Sequence, residues 1–239
     1  MTVEEALRAK HREQFPKEHG ALVSVESDGV QLEGILEWPD EAAGVVLFAH
    51  GSGSSRLSPR NRHVAQQLRE VGLATLLVDL LTAEEDRDYE QRFDIGLLAN
   101  RLADAANFLL ADRRTARLPL GLFGASTGAA AALEFAAGMP QRVAAVVSRG
   151  GRPDLVADPV LRQVRAPTLL IVGSHDYGVI EFNQQAYALL TCEKRLELVV
   201  GAGHLFEETG ALDRVARLAA DWFLRQFPSA QQGRDEPRR

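Results

Sequence analysis

With 46% hydrophobic and 25% charged residues, the 239-residue chain has the composition of a globular protein that can bury a sizeable core. A net charge of −6 argues against a nucleic-acid partner, and no stretch approaches the ~20 apolar residues of a membrane span. One cysteine excludes an internal disulfide, and the N-terminus has no signal-peptide pattern, so we expect a cytoplasmic protein with no membrane partner.

The chain order predicts one α/β domain with an extension at each end. Residues 1–20 form an N-terminal extension in which residues 3–15 have the spacing of an amphipathic helix. The domain is expected over residues 21–228. Residues 229–239 are polar, show no periodicity and are predicted to be a disordered tail.

The domain is predicted to begin with a hairpin and to continue as strand and helix units. Residues 21–26 and 30–38 alternate apolar and polar side chains around Ser27-Asp28-Gly29, which predicts an antiparallel hairpin at a sheet edge. Later strands are apolar throughout, and the helices between them carry an apolar face. The strands are predicted at 44–49, 73–80, 118–124, 143–147, 167–172 and 195–200, and the main helices at 59–71, 94–109, 129–137 and 212–226.

This order indicates a mostly parallel, twisted sheet of about eight strands with helices on both faces. The connection between residues 147 and 167 is short, so we predict no large lid, although the charged stretch 82–92 has the length to fold over the entrance. Ligands bind such sheets beyond the carboxyl ends of their strands. Candidate site residues are therefore sought in the loops that follow the strands.

The strongest local signal is Gly124-Ala125-Ser126-Thr127-Gly128, which stands between an apolar strand and an alanine-rich helix. Small residues are needed at both ends of Gly-x-Ser-x-Gly, because the entering strand and leaving helix pass close together at a strained serine. The pentapeptide alone is a weak signal, and its position between strand and helix makes it specific. We predict that Ser126 is a nucleophile.

A serine nucleophile requires a base and an acid that orients the base. Asp176 follows the strand at 167–172 and His204 follows the next strand, so the order is serine, acid, histidine. As alternatives, Asp176 would only cap a helix, or His204 would only bond a loop carbonyl. Asp79 is the rival acid. The other candidate histidines, His50, His63 and His175, are expected to be structural or exposed.

The intermediate of acyl transfer needs two donors for its oxyanion. We predict the N–H of Thr127, which follows the nucleophile, and the N–H of Ser52, in the turn His50-Gly51-Ser52-Gly53. A phosphate-binding loop is the alternative for this turn, but the Gly-Lys-Ser/Thr ending is missing.

Arginines occur in the two loops expected to flank Ser126. Arg56 on one side, with Arg149 and Arg152 on the other, suggests recognition of an anionic ester or lactone, because guanidinium groups pair with carboxylates. The alternative is that these arginines pair with nearby acids or are solvated.

The span from about residue 21 to residue 227 resembles an α/β hydrolase, and within that superfamily it resembles the dienelactone-hydrolase-like group. The loop at residues 50–56 and the run at 148–155 carry the closer resemblance. It implies a Ser126, Asp176 and His204 triad, no cofactor and no metal, and a cytoplasmic monomer or homodimer. Dienelactone hydrolases carry cysteine where this chain has Ser126, so dienelactone is not carried over as the substrate.

The sequence therefore predicts a serine hydrolase that cleaves a small carboxylic ester or lactone through an acyl-enzyme intermediate. A peptidase or thioesterase with the same triad is the nearest alternative, because leaving-group preference depends on pocket shape. A non-catalytic, ligand-binding member of the fold is the alternative from another class.

Overall fold

The first two strands form the predicted hairpin in the computed structural model, which describes residues 18–227. Strand β1 (Glu18–Ser27) pairs antiparallel with β2 (Val30–Pro39) through a two-residue turn. Both turn residues have positive φ, +47° at Asp28 and +80° at Gly29, which suits the right-handed twist of a hairpin. Pairing extends to Glu18, three residues before the predicted domain start, and the predicted helix and tail lie outside the described residues.

Six parallel strands continue the sheet, in the order β1-β2-β4-β3-β5-β6-β7-β8. Strands β3 to β7 are buried at every position, as expected for strands covered by helices on both faces, and β8 at the far edge is partly exposed. This confirms the predicted α/β-hydrolase fold class. The strands are β3 (Val45–Ala49), β4 (Ala74–Val78), β5 (Leu120–Ala125), β6 (Ala145–Arg149), β7 (Thr168–Gly173) and β8 (Lys194–Val199).

Helices cover both faces of the sheet and begin at local capping signals. Ser58 caps the first helix, which starts at Pro59, and Asp94 Oδ1 accepts the Leu97 N–H at 2.9 Å to cap the second. The first and last helices pack on one face, and the second and third on the other. The helices are α1 (Pro59–Glu70), α2 (Ile95–Ala111), α3 (Thr127–Gly138), α4 (Asp158–Leu161), α5 (Tyr177–Leu189) and α6 (Ala211–Gln226).

Two connections determine how the carboxyl edge of the sheet is covered. Between β6 and β7 the chain forms only a 3-10 turn (Pro153–Leu155) and the single turn of α4, so no large lid is present there. The connection between β4 and α2 carries two 3-10 turns (Glu85–Arg87 and Gln91–Phe93). Arg92 from this connection approaches Gly53, so its second half lies beside the loop that follows β3.

Candidate active site

Ser126 lies at a sharp turn between β5 and α3, with φ +52° and ψ −120°. A side chain rarely adopts such a conformation, and it persists only where the surroundings enforce it. A Cβ added to Gly124 would lie 2.4 Å from Cα of Ala129, and one on Gly128 would lie 2.2 Å from the carbonyl oxygen of Ala49. Backbone packing therefore requires both glycines of the motif, and Ser126 remains partly exposed at the carboxyl edge.

Asp176 and His204 come together although 28 residues separate them. His204 Nδ1 lies 2.6 Å from Asp176 Oδ2, and both side chains are partly buried. Asp176 occupies the N-cap position of α5, but its side chain makes no capping hydrogen bond. The carboxylate therefore serves the histidine and not the helix. With Nδ1–H donated to Asp176, the neutral ring presents Nε2 as an acceptor.

The loop of residues 149–152 connects the surroundings of Ser126 and His204. The Ser126 N–H donates to the Arg149 carbonyl at 3.2 Å, and the Arg152 N–H donates to the Ser126 carbonyl at 3.2 Å. A Cβ on Gly150 would lie 3.5 Å from both Nδ1 and Cε1 of His204. The described residues include no hydrogen bond between the Ser126 hydroxyl and His204. The two loops are neighbours, and the triad as a whole stays a prediction.

The rival acid and the other histidines have different partners. Asp79 accepts hydrogen bonds from the backbone N–H and the guanidinium of Arg56, so its carboxylate is already engaged. His63 lies 2.7 Å from Asp213, and His175 is exposed. These contacts agree with structural or surface roles for both histidines.

The predicted oxyanion loop packs directly against the nucleophile turn. A Cβ on Gly51 would lie 3.1 Å from Cβ of Ser126. The Ser52 N–H, however, donates to Thr127 Oγ1 at 2.8 Å. The one hydrogen of this N–H is therefore engaged by the Thr127 hydroxyl, and the role of Ser52 as an oxyanion donor stays a prediction. The Thr127 N–H begins α3, where N–H groups have no acceptor within the helix, so its role stays a prediction.

His50 holds this loop from the other side. Its Nε2 accepts the Leu80 N–H at 2.9 Å, so the neutral ring carries its hydrogen on Nδ1, which lies 3.0 Å from the Gly51 carbonyl. Burial lowers the pKa of His50, with smaller opposing effects from the Gly51 carbonyl and from the charges of Asp79 and Asp86. His50 is therefore a neutral structural residue that ties the loop to the end of β4.

Two of the three predicted anion-binding arginines already have carboxylate partners. Arg56 pairs with Asp79 and with Glu33, and the second contact measures 2.6 Å. Arg152 donates two hydrogen bonds to Asp154, at 2.8 and 2.7 Å, and these raise the pKa of its guanidinium. The alternative interpretation, pairing with nearby acids, therefore holds for Arg56 and Arg152.

Arg149 is the exception among the three arginines. It is only 7% exposed, and it has no carboxylate partner among the described residues. Its guanidinium lies 5.8 Å from the ring centre of Phe206 and makes one long hydrogen bond of 3.4 Å to Asn61, while its Nε has no acceptor. Burial, with a smaller effect from the charge of Arg60, lowers the pKa of Arg149 to about 10. The group is still charged at neutral pH.

Sequence reasoning missed the residues that brace the histidine loop. Glu208 accepts the Gly203 N–H at 2.9 Å, and backbone hydrogen bonds, first its own N–H and then that of Gly203, lower its pKa. Phe206 is 1% exposed and has a φ of +55°, so it anchors the loop in the core against Arg149. Neither role could be predicted from the sequence. An exposed Glu four residues after a candidate histidine belongs to no periodic pattern, and a positive φ at a phenylalanine has no sequence signature.

A pocket of about 430 Å³ lies beside the loop after β3. Neither Ser126 nor His204 lines it, so the pocket does not contain the candidate catalytic groups. Its walls include His50 and Arg56 from this loop, Asp79 after β4, and Asp86 from the following connection.

Residues 18–227 contain no cluster of three or more His, Cys, Asp or Glu side chains arranged to hold a metal ion. None of the helices in this part of the chain is both long enough and apolar enough to span a membrane.

A solved structure with high sequence identity covers the whole domain. The dienelactone hydrolase of Anabaena variabilis is 53% identical to this chain, with a TM-score of 0.85, and the match covers 89% of this chain and 100% of that one. A cold-adapted esterase from an Arctic intertidal metagenomic library is 18% identical, with a TM-score of 0.72, and the match covers 89% of this chain and 95% of the esterase. This second likeness supports the fold alone.

Curated relatives give a different name. Two proteins from two strains of Mycobacterium tuberculosis, both provisionally named phosphoribosyl transferases, are 55% identical over 202 residues. The match covers 84% of this chain and 45% of each relative, so the chain spans about half the length of these curated relatives. No family model matches the chain. The identity to the Anabaena enzyme over its full length shows that this chain belongs to the dienelactone hydrolase family of the α/β-hydrolase fold.

Proposed function

We propose that this chain is a serine hydrolase that cleaves a small carboxylic ester or lactone through an acyl-enzyme intermediate. The Ser126 hydroxyl attacks the carbonyl carbon while its proton passes to His204 Nε2. The tetrahedral intermediate then collapses, and the leaving alcohol takes that proton. Water, deprotonated by His204, then attacks the acyl carbon, and His204 returns the proton to the Ser126 oxygen as the acid departs. In a lactone the alcohol is part of the acyl chain, so ring opening leaves a hydroxyacyl group on Ser126 and water then releases one hydroxy acid.

Asp176 and the two backbone donors have supporting roles in this scheme. The Asp176 carboxylate keeps the hydrogen on His204 Nδ1 and stabilises the imidazolium during each proton transfer. The Thr127 N–H binds the oxyanion at the start of α3. The Ser52 N–H donates to the Thr127 hydroxyl in the free protein. It can bind the oxyanion as the second donor only after this hydroxyl turns away.

The observation that carries the proposal is the hydrogen bond of 2.6 Å between Asp176 and His204, next to a serine held at φ +52°. An acid that lies at a helix N-cap and yet bonds a histidine supports an orienting role. The separate hydroxyl and imidazole are compatible with catalysis, because such hydrogen bonds are often long in ligand-free proteins.

Active-site labelling tests the nucleophile directly. A fluorophosphonate probe is expected to label the protein at one site, and Ser126→Ala is expected to abolish labelling and to lower hydrolysis of p-nitrophenyl acetate by about 10⁴-fold or more. Ser24→Ala, at an exposed strand position, is the matched control and keeps both. Labelling that persists in Ser126→Ala would refute the serine mechanism.

The remaining alternatives differ in their substrates. Comparison of p-nitrophenyl esters of graded length with small lactones, acyl thioesters and short peptides separates an esterase from a thioesterase or peptidase. A non-catalytic, ligand-binding member would neither react with the probe nor turn over any of these compounds.

The transferase name of the mycobacterial relatives does not extend to this proposal. More than half of each relative lies outside the match. The transferase name is therefore not carried over to this chain, because function resides in sites and not in the fold.

An anionic substrate is a further part of the proposal and depends on Arg149 alone. A buried guanidinium without a carboxylate partner is an uncompensated positive charge, and a substrate carboxylate would supply the compensating negative charge. Arg56 and Arg152 no longer support this idea, because their charges are compensated within the protein.

Paired substrates test the anionic preference. Mono-p-nitrophenyl succinate and p-nitrophenyl butyrate have the same chain length and differ in the terminal carboxylate. We expect Arg149→Met to lower the succinate-to-butyrate ratio of kcat/KM by about tenfold, as for the loss of one charge-assisted hydrogen bond. Arg152→Met, which removes a compensated arginine, is the control. An unchanged ratio in Arg149→Met would show that this arginine does not select anions.

The expectations of a cytoplasmic location, of a monomer or homodimer, and of no cofactor or metal stay part of this proposal. The single cysteine, Cys192, supports a reducing compartment.

A further inference from the structure

The pocket of about 430 Å³ beside the loop after β3 has a composition that selects its ligand. We call it the loop pocket. Three segments form it: the start of β2, the loop after β3, and the chain that follows β4. Its volume suits a small-molecule group. Its polar walls carry the carboxylates of Glu33, Asp79 and Asp86, the Arg56 guanidinium, and the hydroxyls of Ser54 and Thr82.

The arginine that lines the loop pocket is already paired with carboxylates of the protein. The Arg56 guanidinium pairs with both Asp79 and Glu33, and its backbone N–H donates to Asp79 at 2.5 Å. Asp86 faces Arg92, whose Nε lies 3.1 Å from Asp86 Oδ1. Three carboxylates and two guanidinium groups leave a net charge of −1, because burial lowers the pKa of His50 and keeps it neutral. An anionic group would therefore be repelled.

Hydrogen-bond acceptors exceed free donors in the same walls. Each carboxylate oxygen can accept more than one hydrogen bond. The buried Oδ1 of Asp86 accepts none, and its charged neighbour is the Arg92 Nε at 3.1 Å. The Nη1 and Nη2 groups of Arg56 contact Asp79 and Glu33, whereas its buried Nε has no acceptor. The hydroxyls of Ser54 and Thr82 can donate or accept. A suitable ligand brings several donors and no negative charge. Hydroxyl groups meet both requirements.

We infer that the loop pocket binds the neutral, hydroxyl-rich portion of the substrate, such as the polyol part of an ester. This inference rests on the proposed ester hydrolysis. His50 lines the pocket, and the next residue, Gly51, would place a Cβ 3.1 Å from Cβ of Ser126. The segment that lines the pocket at His50 therefore continues, at the next residue, into the turn that packs against Ser126.

A large side chain introduced at the edge of the loop pocket tests the inference. Ala83 lines the pocket and is exposed, so Ala83→Phe fills the space without disturbing the core. The matched control is Glu84→Phe, at the next residue, which is exposed and does not line the pocket. The substrates are 6-O-acetylglucose, n-butyl acetate, acetylcholine and p-nitrophenyl acetate.

The wild-type protein is expected to favour 6-O-acetylglucose over n-butyl acetate in kcat/KM. In Ala83→Phe the ratio of kcat/KM for 6-O-acetylglucose to that for p-nitrophenyl acetate falls by about tenfold, as expected for the loss of one or two hydrogen bonds. Glu84→Phe leaves the ratio unchanged. Equal ratios in the wild type and Ala83→Phe overturn the inference. A preference for acetylcholine also overturns it, because the site would then select cations.

A binding measurement separates this inference from the proposed function. Saturation-transfer NMR with methyl glucoside, in the wild type and in Ala83→Phe, reports occupancy of the pocket without catalysis. Signal transfer that is lost in Ala83→Phe supports the loop pocket even if no ester is hydrolysed. Absence of transfer to the wild type, together with normal esterase activity, refutes the pocket and leaves the hydrolase proposal intact.

Discussion

Polar side chains are largely unpaired in one half of the sheet's carboxyl edge and largely paired in the other. Around Ser126 and His204, the hydroxyl and Nε2 have no partners among the described residues, and the nearby Arg149 has no carboxylate. Around the loop pocket, Arg56 is paired with two acids and Asp86 faces Arg92. Both regions are built on loops that follow buried strands, so the backbone alone does not distinguish them.

The difference shows how reactivity and rigidity are separated in this protein. Groups that exchange protons or receive charge must keep free hydrogen-bonding capacity, whereas groups that shape a cavity are stabilised by being satisfied. We therefore expect substitutions on the Ser126 side to change rates and those on the Asp79 side to change stability.

Replacement of the two carboxylates provides the largest test of this contrast. Asp176→Asn keeps the shape but loses control of the His204 tautomer, so kcat is expected to fall by about 10³- to 10⁴-fold with a small change in Tm. Asp79→Asn leaves Arg56 without its closest acid and is expected to cost about 1–3 kcal/mol of unfolding free energy, with a much smaller effect on kcat. The measurements are steady-state kinetics and urea unfolding of both variants.

The contrast would fail if Asp79→Asn lowered kcat as strongly as Asp176→Asn. Asp79 would then regain its place as the rival acid. The double variant Asp176→Asn/Asp79→Asn is informative as well. The two sites share no partner, so the changes in unfolding free energy of the single variants should add.

The Thr127 side chain offers a sharper and smaller test. Thr127→Val removes the acceptor that engages the Ser52 N–H and frees this donor for the oxyanion. We expect kcat/KM to stay within about fivefold of the wild type and to rise, because one competing hydrogen bond is gone. Thr127→Ser keeps the hydroxyl and is the control. A loss of about 10²-fold in Thr127→Val alone would identify the hydroxyl itself as an oxyanion donor.

His50 gives the smallest effect, in the pH dependence of stability. Because burial lowers its folded-state pKa, the unfolded chain binds a proton first as the pH falls below about 6.5. Stability contributed by the neutral ring is therefore complete above about pH 6.5 and is lost as the pH falls. Urea unfolding at pH 7, 6 and 5 should show a shallower loss in His50→Gln than in the wild type. An equal loss of stability in His50→Gln and the wild type would contradict this role for His50.

Much of the fold was predictable because its signals are local. The hairpin around Asp28 and Gly29, the cap at Asp94 and the continuous apolar strands each occupy a short segment. Predicted strand ends differ by up to a few residues from those of the structure, as with β6, which starts at Ala145 and not at residue 143. Such ends depend on which neighbouring strand still pairs, and the segment itself does not contain that information.

The candidate site was predictable in its residues and less so in its contacts. The order of Ser126, Asp176 and His204 along successive strands was readable, and the structure brings Asp176 to His204. Which arginines pair with an acid could not be predicted by one rule. The partner of Arg152 is Asp154, two residues away, whereas the partner of Arg56 is Asp79, 23 residues away. The bond between Ser52 and Thr127 spans 75 residues and has no sequence signal.

By itself, the sequence determined the elements, their order and the serine turn, because hydrophobic periodicity and glycine placement act within a few residues of each other. Only the tertiary structure decided which polar groups are satisfied and which remain open. Hydrogen bonds and ion pairs depend on distances of a few ångströms between segments far apart in the chain. Those distances are set when the helices and the sheet pack together.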